Sequence, residues 1–207
     1  MLRILLVISL TLKGVLMATQ EPEYALIIKY EAYEIREYEP YLVAQTEVSG
    51  TFDEMGGKAF RILVKYISGE NKEQSKIEMT APVIQESSKQ DGQKIPITAP
   101  VIQDKGEGDS NSATFSFVMP QNFTLDTLPL PLNKSITLKE KPAKRVAVLE
   151  YSGGWGEEKY KKNEAILIKA LYDAGIKTIG TPSFARYNSP FALWFMRRNE
   201  IMIEVQR

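Results

Sequence analysis

The sequence predicts an α+β fold: an antiparallel sheet with its two helices on one side, built as a tandem repeat whose halves pack about a pseudo-two-fold axis and curl the sheet into a barrel-like shell. Three observations predict it. Glu34–Gly50 (EIREYEPYLVAQTEVSG) aligns without a gap on Thr137–Gly153 (TLKEKPAKRVAVLEYSG) at an offset of 103, with Glu37/Glu140, Val43/Val146, Ala44/Ala147, Glu47/Glu150, Ser49/Ser152 and Gly50/Gly153 identical. An amphipathic helical pattern follows each copy, so a repeat of a whole folding unit is expected rather than a chance match. Strand pairs that alternate with single helices, some carrying proline, favour an antiparallel sheet with its helices on one side.

Each element has a local reason. After Gly50, Phe52, Met55, Ala59, Leu63 and Tyr66 fall on one helical face, with Lys58, Arg61 and Lys65 off it. Thr51 followed three residues later by Glu54 is a capping-box pattern. Gly56–Gly57 inside that helix costs about 1 kcal/mol per glycine relative to alanine, which is tolerable where something must approach the backbone closely. After Gly153, Tyr160, Leu167, Ile168 and Leu171 are periodic, Glu157 and Glu158 occupy the first turn, and Gly175 marks the end. The halves, about 24–120 and 134–207, are expected to share strand–strand–helix–strand units over residues 34–103 and 137–205. A pocket is expected where they meet.

A second repeat lies within the first half. Lys76–Gln85 (KIEMTAPVIQ) and Lys94–Gln103 (KIPITAPVIQ) are identical at eight of ten positions. On strand alternation Ile77, Met79, Ala81 and Val83 share one face, and Ile95, Ile97, Ala99 and Val101 share the corresponding one. Pro82 and Pro100 place these segments at edge or terminal strand positions. The simplest reading is a duplicated hairpin arm with a core face, the first copy walling a groove and the second extending the structure.

Composition narrows the chemistry. The 207 residues suit one domain, and 26 basic residues balance 26 acidic ones, so no strong field draws the chain to nucleic acid. There is no Cys and no His, which excludes disulfides, thiolate nucleophiles, the usual zinc ligands and histidine general bases. Residues 1–18 read as a signal peptide, with Arg3 before the apolar run Ile4–Leu12 and cleavage expected after Ala18. The run is too short for a membrane span. An exported chain, periplasmic or extracellular, is expected, with retention as a membrane anchor the alternative. The mature domain, 19–207, then holds 24 basic and 26 acidic residues and no integral span.

Four ordered segments carry a family resemblance: KIEMTAPV, FSFVMPQNFTLDTLPLP, VAVLEYSGGWGEEKY and GTPSFARYNSPFALWFMRRNEIMIEV. Over residues 24–205 the chain resembles the SOUL family of heme-binding proteins, in particular bacterial exported members with a doubled Thr-Ala-Pro segment. The resemblance implies a distorted antiparallel β-barrel with two helices that holds heme or another tetrapyrrole non-covalently in a groove beside the first helix; a monomeric binding protein for transport, buffering or sensing, rather than an enzyme, is expected. The resemblance points to Met55, Phe60, Leu63, Val64 and Ile67 as an apolar wall and to Lys58, Arg61 and Lys65 as basic partners of the propionates. Met79, the one face position where the two decamers differ, joins them from the strand reading, with a thioether able to ligate iron. Lys65 matches a basic position of animal members, whereas Gly57 stands where those members place Arg. Some members ligate iron through His; here only Tyr or Met could serve.

Two other functions stay open: a hydrolase-like enzyme using Glu150, Glu157 and Glu158, and an interaction domain that keeps the fold without the ligand. Arg197–Glu200 (RRNE) reads as an ion-pair network with Asn199 bonding backbone, and Trp155 reads as core. Phe191, Trp194 and Phe195 read as a cap on the core or, alternatively, as a lid or exposed patch.

Overall fold

A computed structural model describes residues 21–72, 92–105, 111–188 and 192–206. The signal segment, the first decamer with Met79, and Phe191 lie outside the described residues. In chain order the elements are β1 (Tyr24–Lys29), β2 (Glu34–Tyr38), β3 (Tyr41–Ser49), α1 (Phe52–Ile67), β4 (Asn71–Lys72), β5 (Val101–Lys105), β6 (Ser112–Val118), β7 (Leu130–Pro131), β8 (Ile136–Lys141), β9 (Lys144–Ser152), α2 (Glu157–Asp173), β10 (Thr178–Arg186), a 3-10 turn (Trp194–Met196) and β11 (Arg198–Val205).

Among the described residues nine strands form one curled antiparallel sheet in the order β1-β2-β9-β11-β10-β5-β6-β3-β8, a half-barrel with β1 and β8 as its edges. β4 and β7 pair separately. The order carries the pseudo-symmetry: β9-β11-β10 of the second half mirrors β3-β6-β5 of the first, and β10 meets β5 at the junction. Each half is therefore strand–strand–helix–strand–strand, one strand longer than the expected unit. The first strands are exchanged. β2 pairs with β9, and β8 pairs with β3.

Proline explains the exchange. A two-residue hairpin needs positive φ in its loop, but Glu39–Pro40 and Pro142–Ala143 link these strands, proline fixes φ near −65°, and no described non-glycine residue has positive φ. The chain passes on to the opposite half instead of folding back. Gly50 and Gly153, at φ +146° and +122°, then turn each copy from strand toward helix.

α1 buries Met55, Ala59, Leu63, Tyr66 and Ile67 against Ala44, Phe115 and Phe117. Its cap is the expected box, with the Glu54 carboxylate accepting the Thr51 backbone N–H at 3.4 Å. α2 buries Tyr160, Leu167 and Leu171 against Ala147, Phe184, Ile201 and Ile203. Ile168 is a correction: it lies one residue past this stripe and is partly exposed. On the opposite sheet face Tyr38, Val146, Val148, Ala185 and Met202 pack together, so the middle of β9 is buried on both sides.

The second decamer is also corrected. Strand β5 begins only at Val101, and within the preceding segment Ile95 and Ala99 are buried while Ile97 is 68% exposed, so alternation does not hold there. Instead the Ile95 amide bonds to the Ile67 carbonyl at 2.7 Å and the Thr98 hydroxyl bonds to the Val118 carbonyl. Pro100 precedes the strand as expected, but β5 pairs on both sides rather than forming an edge.

The RRNE segment is a structural network. Glu200, fully buried, accepts from Arg36 at 3.0 Å, from Arg198 at 3.1 Å and from Tyr187 at 2.5 Å, and Asn199 donates to the Gly153 carbonyl at 3.1 Å. Arg198 reaches on to Glu21. Burial opposes the Arg36 charge, but Glu200 and Tyr38 more than offset it and hold its pKa up.

Candidate functional site

The two halves meet at an apolar cleft of about 310 Å³ beside the N-terminal half of α1. Phe52, Gly56, Gly57 and Phe60 line it from α1, Val101 and Phe115 from the sheet, Trp155 and Gly156 from the approach to α2, and Arg186 and Asn188 from the end of β10. Helix periodicity explains the α1 contribution, because positions 52, 56 and 60 share a stripe beside the buried one. Phe52 bridges the halves, 5.5 Å from the Tyr160 ring and 6.4 Å from Phe184. Phe60 packs tilted on Phe117 at 5.8 Å.

Arg186 is the basic residue that lines this cleft among the described residues. It leaves β10 on the same face as Phe184, two residues before it, so its guanidinium lies 4.6 Å from that ring and faces Trp155 at 5.5 Å. Its Nη2 donates to Gln103 Oε1 at 2.9 Å. Nη1 lies only 2.5 Å from where a Cβ on residue 56 would stand, so glycine there makes room for it. This is the close approach that a glycine inside a helix implies. Burial pulls the Arg186 pKa down, to about 10, while Tyr151 and Asp53 oppose that fall, and the group stays charged at neutral pH. Burial pushes the neighbouring Tyr151 phenol up.

The residues singled out from the sequence divide among three environments. Phe60 lines the cleft, whereas Met55, Leu63 and Ile67 lie in the core beneath α1. Lys58, Arg61 and Lys65 line an open depression on the other flank of α1, with Glu70 and Asn133, and Val64 and Lys65 border another at its C-terminal end. Arg61 connects cleft and flank, its Nη1 lying 3.7 Å from where a Cβ on Gly57 would be. Lys58 and Lys65 make exposed pairs with Glu54 (3.7 Å) and Glu70 (3.5 Å).

Sequence reasoning missed Phe52, Val101, Trp155 and Arg186. Val101 belongs to the second decamer, which therefore contributes to the cleft. Trp155 packs half-buried against the α2 core as read, and it also lines the cleft, standing between Arg186 and Arg197, the latter 4.2 Å away. The one available signal for Arg186 was an arginine two residues after a phenylalanine on a strand that is otherwise buried at its end. Among the described residues no group of three or more acidic, His or Cys side chains could hold a metal ion.

With this geometry in view, the profile of the SOUL heme-binding proteins matches residues 19–204. The chain belongs to the SOUL family. It is 28% identical over 179 residues to human heme-binding protein 2, covering 82% of this chain and 80% of that protein. Among solved structures it resembles the EcmrR C-terminal domain (10% identity, 89% of this chain and 98% of the other, TM-score 0.58). A hydrolase from Listeria innocua is similar as well (10% identity, 86% and 94%, TM-score 0.51). These two likenesses show the fold alone. The SOUL family is a family of binding proteins, and among the described residues no helix is long and apolar enough to cross a membrane.

Proposed function

We propose that this SOUL protein binds heme or a related tetrapyrrole in the cleft beside α1, as an exported transport, buffering or sensing protein. The observation that carries the reading is an aromatic cleft lined by two helix glycines and Arg186, with the Arg61 guanidinium beside Gly57. A tetrapyrrole presents a flat apolar face and carboxylates. Phe52, Phe60 and Trp155 suit the face, and the two guanidinium groups suit the carboxylates. Iron ligation is a poorer fit, since the cleft lining among the described residues holds no Met, Tyr, His or Cys and Met55 is buried in the core. The ring is held by contact.

Titration with hemin tests this. A saturable Soret change near one-to-one stoichiometry is expected, and its absence would overturn the proposal. Phe60→Asp sets a carboxylate against the ring and should weaken binding by about 1–3 kcal/mol. Leu63→Asp would disrupt the core instead and is a poor probe. Met79 offers the discriminating control: if Met79→Leu abolished the Soret change while Phe60→Asp left it intact, binding would be by ligation rather than contact.

The interaction-domain alternative has one observation in its favour, the exposure of Leu193, Trp194, Phe195 and Met196 together. The hydrolase alternative has less. Glu157 pairs with Lys161 at 2.7 Å, Glu150 is exposed beside Arg198 at 3.5 Å, and Asp53 is the one acidic residue lining the cleft among the described residues.

A further inference from the structure

A second feature of the cleft concerns its unpaired polar atoms. Among the described residues five buried side-chain polar atoms lack a hydrogen-bond partner; two of them, Arg186 Nε and Trp155 Nε1, belong to residues that line the cleft, and a third, Tyr151 Oη, is carried by a neighbouring ring. Trp155 and Arg186 line the cleft, and Tyr151 stacks on Phe184, the ring beneath the Arg186 guanidinium. Buried donors are normally satisfied, and a buried guanidinium normally meets a carboxylate. The chain follows that rule elsewhere, pairing Arg36 with Glu34 and Glu200, and Arg198 with Glu21 and Glu200. Arg186 has no carboxylate within ion-pair distance among the described residues, although its guanidinium offers five donors and Gln103 engages one nitrogen. Gly56, which also lines the cleft, leaves room for its Nη1 against the helix.

We infer that Arg186, through its Nη1, is the anion anchor of the cleft, so that its ligand is a planar apolar molecule that enters carboxylate first. The inference rests on the cleft being the ligand site proposed above and adds which end of the ligand goes in and what recognises it. A guanidinium on an aromatic shelf stays in place before binding. Its charge lies in a poorly hydrated site, where a carboxylate gains more than it would at the exposed Lys58 or Lys65.

The test is a fluorescence titration of the full chain at pH 7 with protoporphyrin IX and with its dimethyl ester, which keeps the ring and removes the carboxylate charges. The free acid should bind about tenfold or more tightly than the ester, the worth of a charge-assisted hydrogen bond. Arg186→Met should remove that preference, bringing the ratio of acid to ester affinity to within about twofold of one. Gly56→Ala keeps the charge but displaces Nη1, the movable end of a side chain, so it should also reduce the preference even if Arg186→Met fails to fold. Equal wild-type affinity for acid and ester, or a preference unchanged in both variants, would overturn the anchor and leave tetrapyrrole binding standing. Binding of neither compound would overturn the tetrapyrrole reading, and 1-pyrenebutyrate would then decide the anchor. Arg186-dependent binding of that acid but not of its methyl ester would sustain it, and any other result would end it.

Discussion

Aligned on their helix caps, Thr51 and Gly156, the two halves place Met55 opposite Tyr160 and Tyr66 opposite Leu171, all four buried. The next positions diverge: Gly56–Gly57 in the first half stands opposite Lys161–Lys162 in the second. The path from the left-handed glycine to the cap also differs, one step from Gly50 to Thr51 but three from Gly153 to Gly156, and the two extra residues include Trp155. The cleft is built from these departures. The repeated positions make the sheet and the inner helix faces, while a missing pair of side chains on one helix and an inserted tryptophan before the other shape the cleft between them.

A second departure lies on the sheet. Glu200 faces Glu150 across β11 and β9, and the matching position on β6, facing Glu47 across β3, is Thr114. The second half thus buries a carboxylate where the first has a half-buried hydroxyl. The largest expected effect follows from this pair. Glu200→Gln should cost about 3 kcal/mol by chemical denaturation, the lower end for breaking a buried ion pair, since Arg36 keeps Glu34 at 2.8 Å. Thr114→Val should cost under about 1 kcal/mol. Equal costs would break the comparison.

The same network sets an alkaline limit. Burial, reinforced by Glu200, pushes the Tyr187 phenol far up and the Tyr38 phenol up to about 12. A phenol whose folded pKa is raised keeps its proton in the folded chain after the unfolded chain has lost it. Its support is therefore complete below about pH 10 and is lost as the pH rises toward the folded value. Stability should fall above pH 10 by about 1.4 kcal/mol per pH unit for each such phenol, which denaturation at pH 9, 10 and 11 would measure. No alkaline fall would show these phenols to be hydrated.

The sequence made the repeat legible because strand and helix faces leave periodic traces. Burial along β3 and β9 matches position for position except at Gln45, half-buried, against Val148, buried. The strand exchange was also written there, in Pro40 and Pro142, but an alignment of copies marks equivalent positions and not pairing partners. The site was harder to read. A helical period identifies which residues of α1 share a face, but only packing shows that Met55, Leu63 and Ile67 face the sheet while Phe52, Gly56 and Phe60 face the junction. Arg186 comes from the other half, 130 residues further along than Gly56, and no local pattern connects the two.

The glycine pair gives a sharper test of the same contrast. Gly57 is exposed, and a Cβ there would meet Arg61 at an ordinary 3.7 Å, so Gly57→Ala should stabilise the chain by about 1 kcal/mol through helix propensity. The added methyl also narrows the cleft, so hemin affinity should fall as stability rises. Thermal denaturation and titration of one variant would report both. A gain in stability with unchanged affinity would place the ring away from Gly57.

The smallest effect separates the cleft from the basic flank. Lys65 is exposed, pairs with Glu70 at 3.5 Å and lines an open depression on the far side of α1. An exposed ion pair contributes roughly 0–1 kcal/mol, because solvent screens it and two long side chains must be held in place. Lys65→Ala should therefore change stability and hemin affinity by less than about 1 kcal/mol, and added salt should reduce even that. Arg61, whose guanidinium reaches Gly57 at the cleft border, should matter more than Lys65 for affinity and no more for stability. The ranking Phe60→Asp, then Arg61→Ala, then Lys65→Ala is what a ring seated between the halves requires. A reversed order, with Lys65→Ala costing more affinity than Phe60→Asp, would move the ring from the junction of the two halves to the outer flank of α1. The departures between the halves would then have to serve some other ligand.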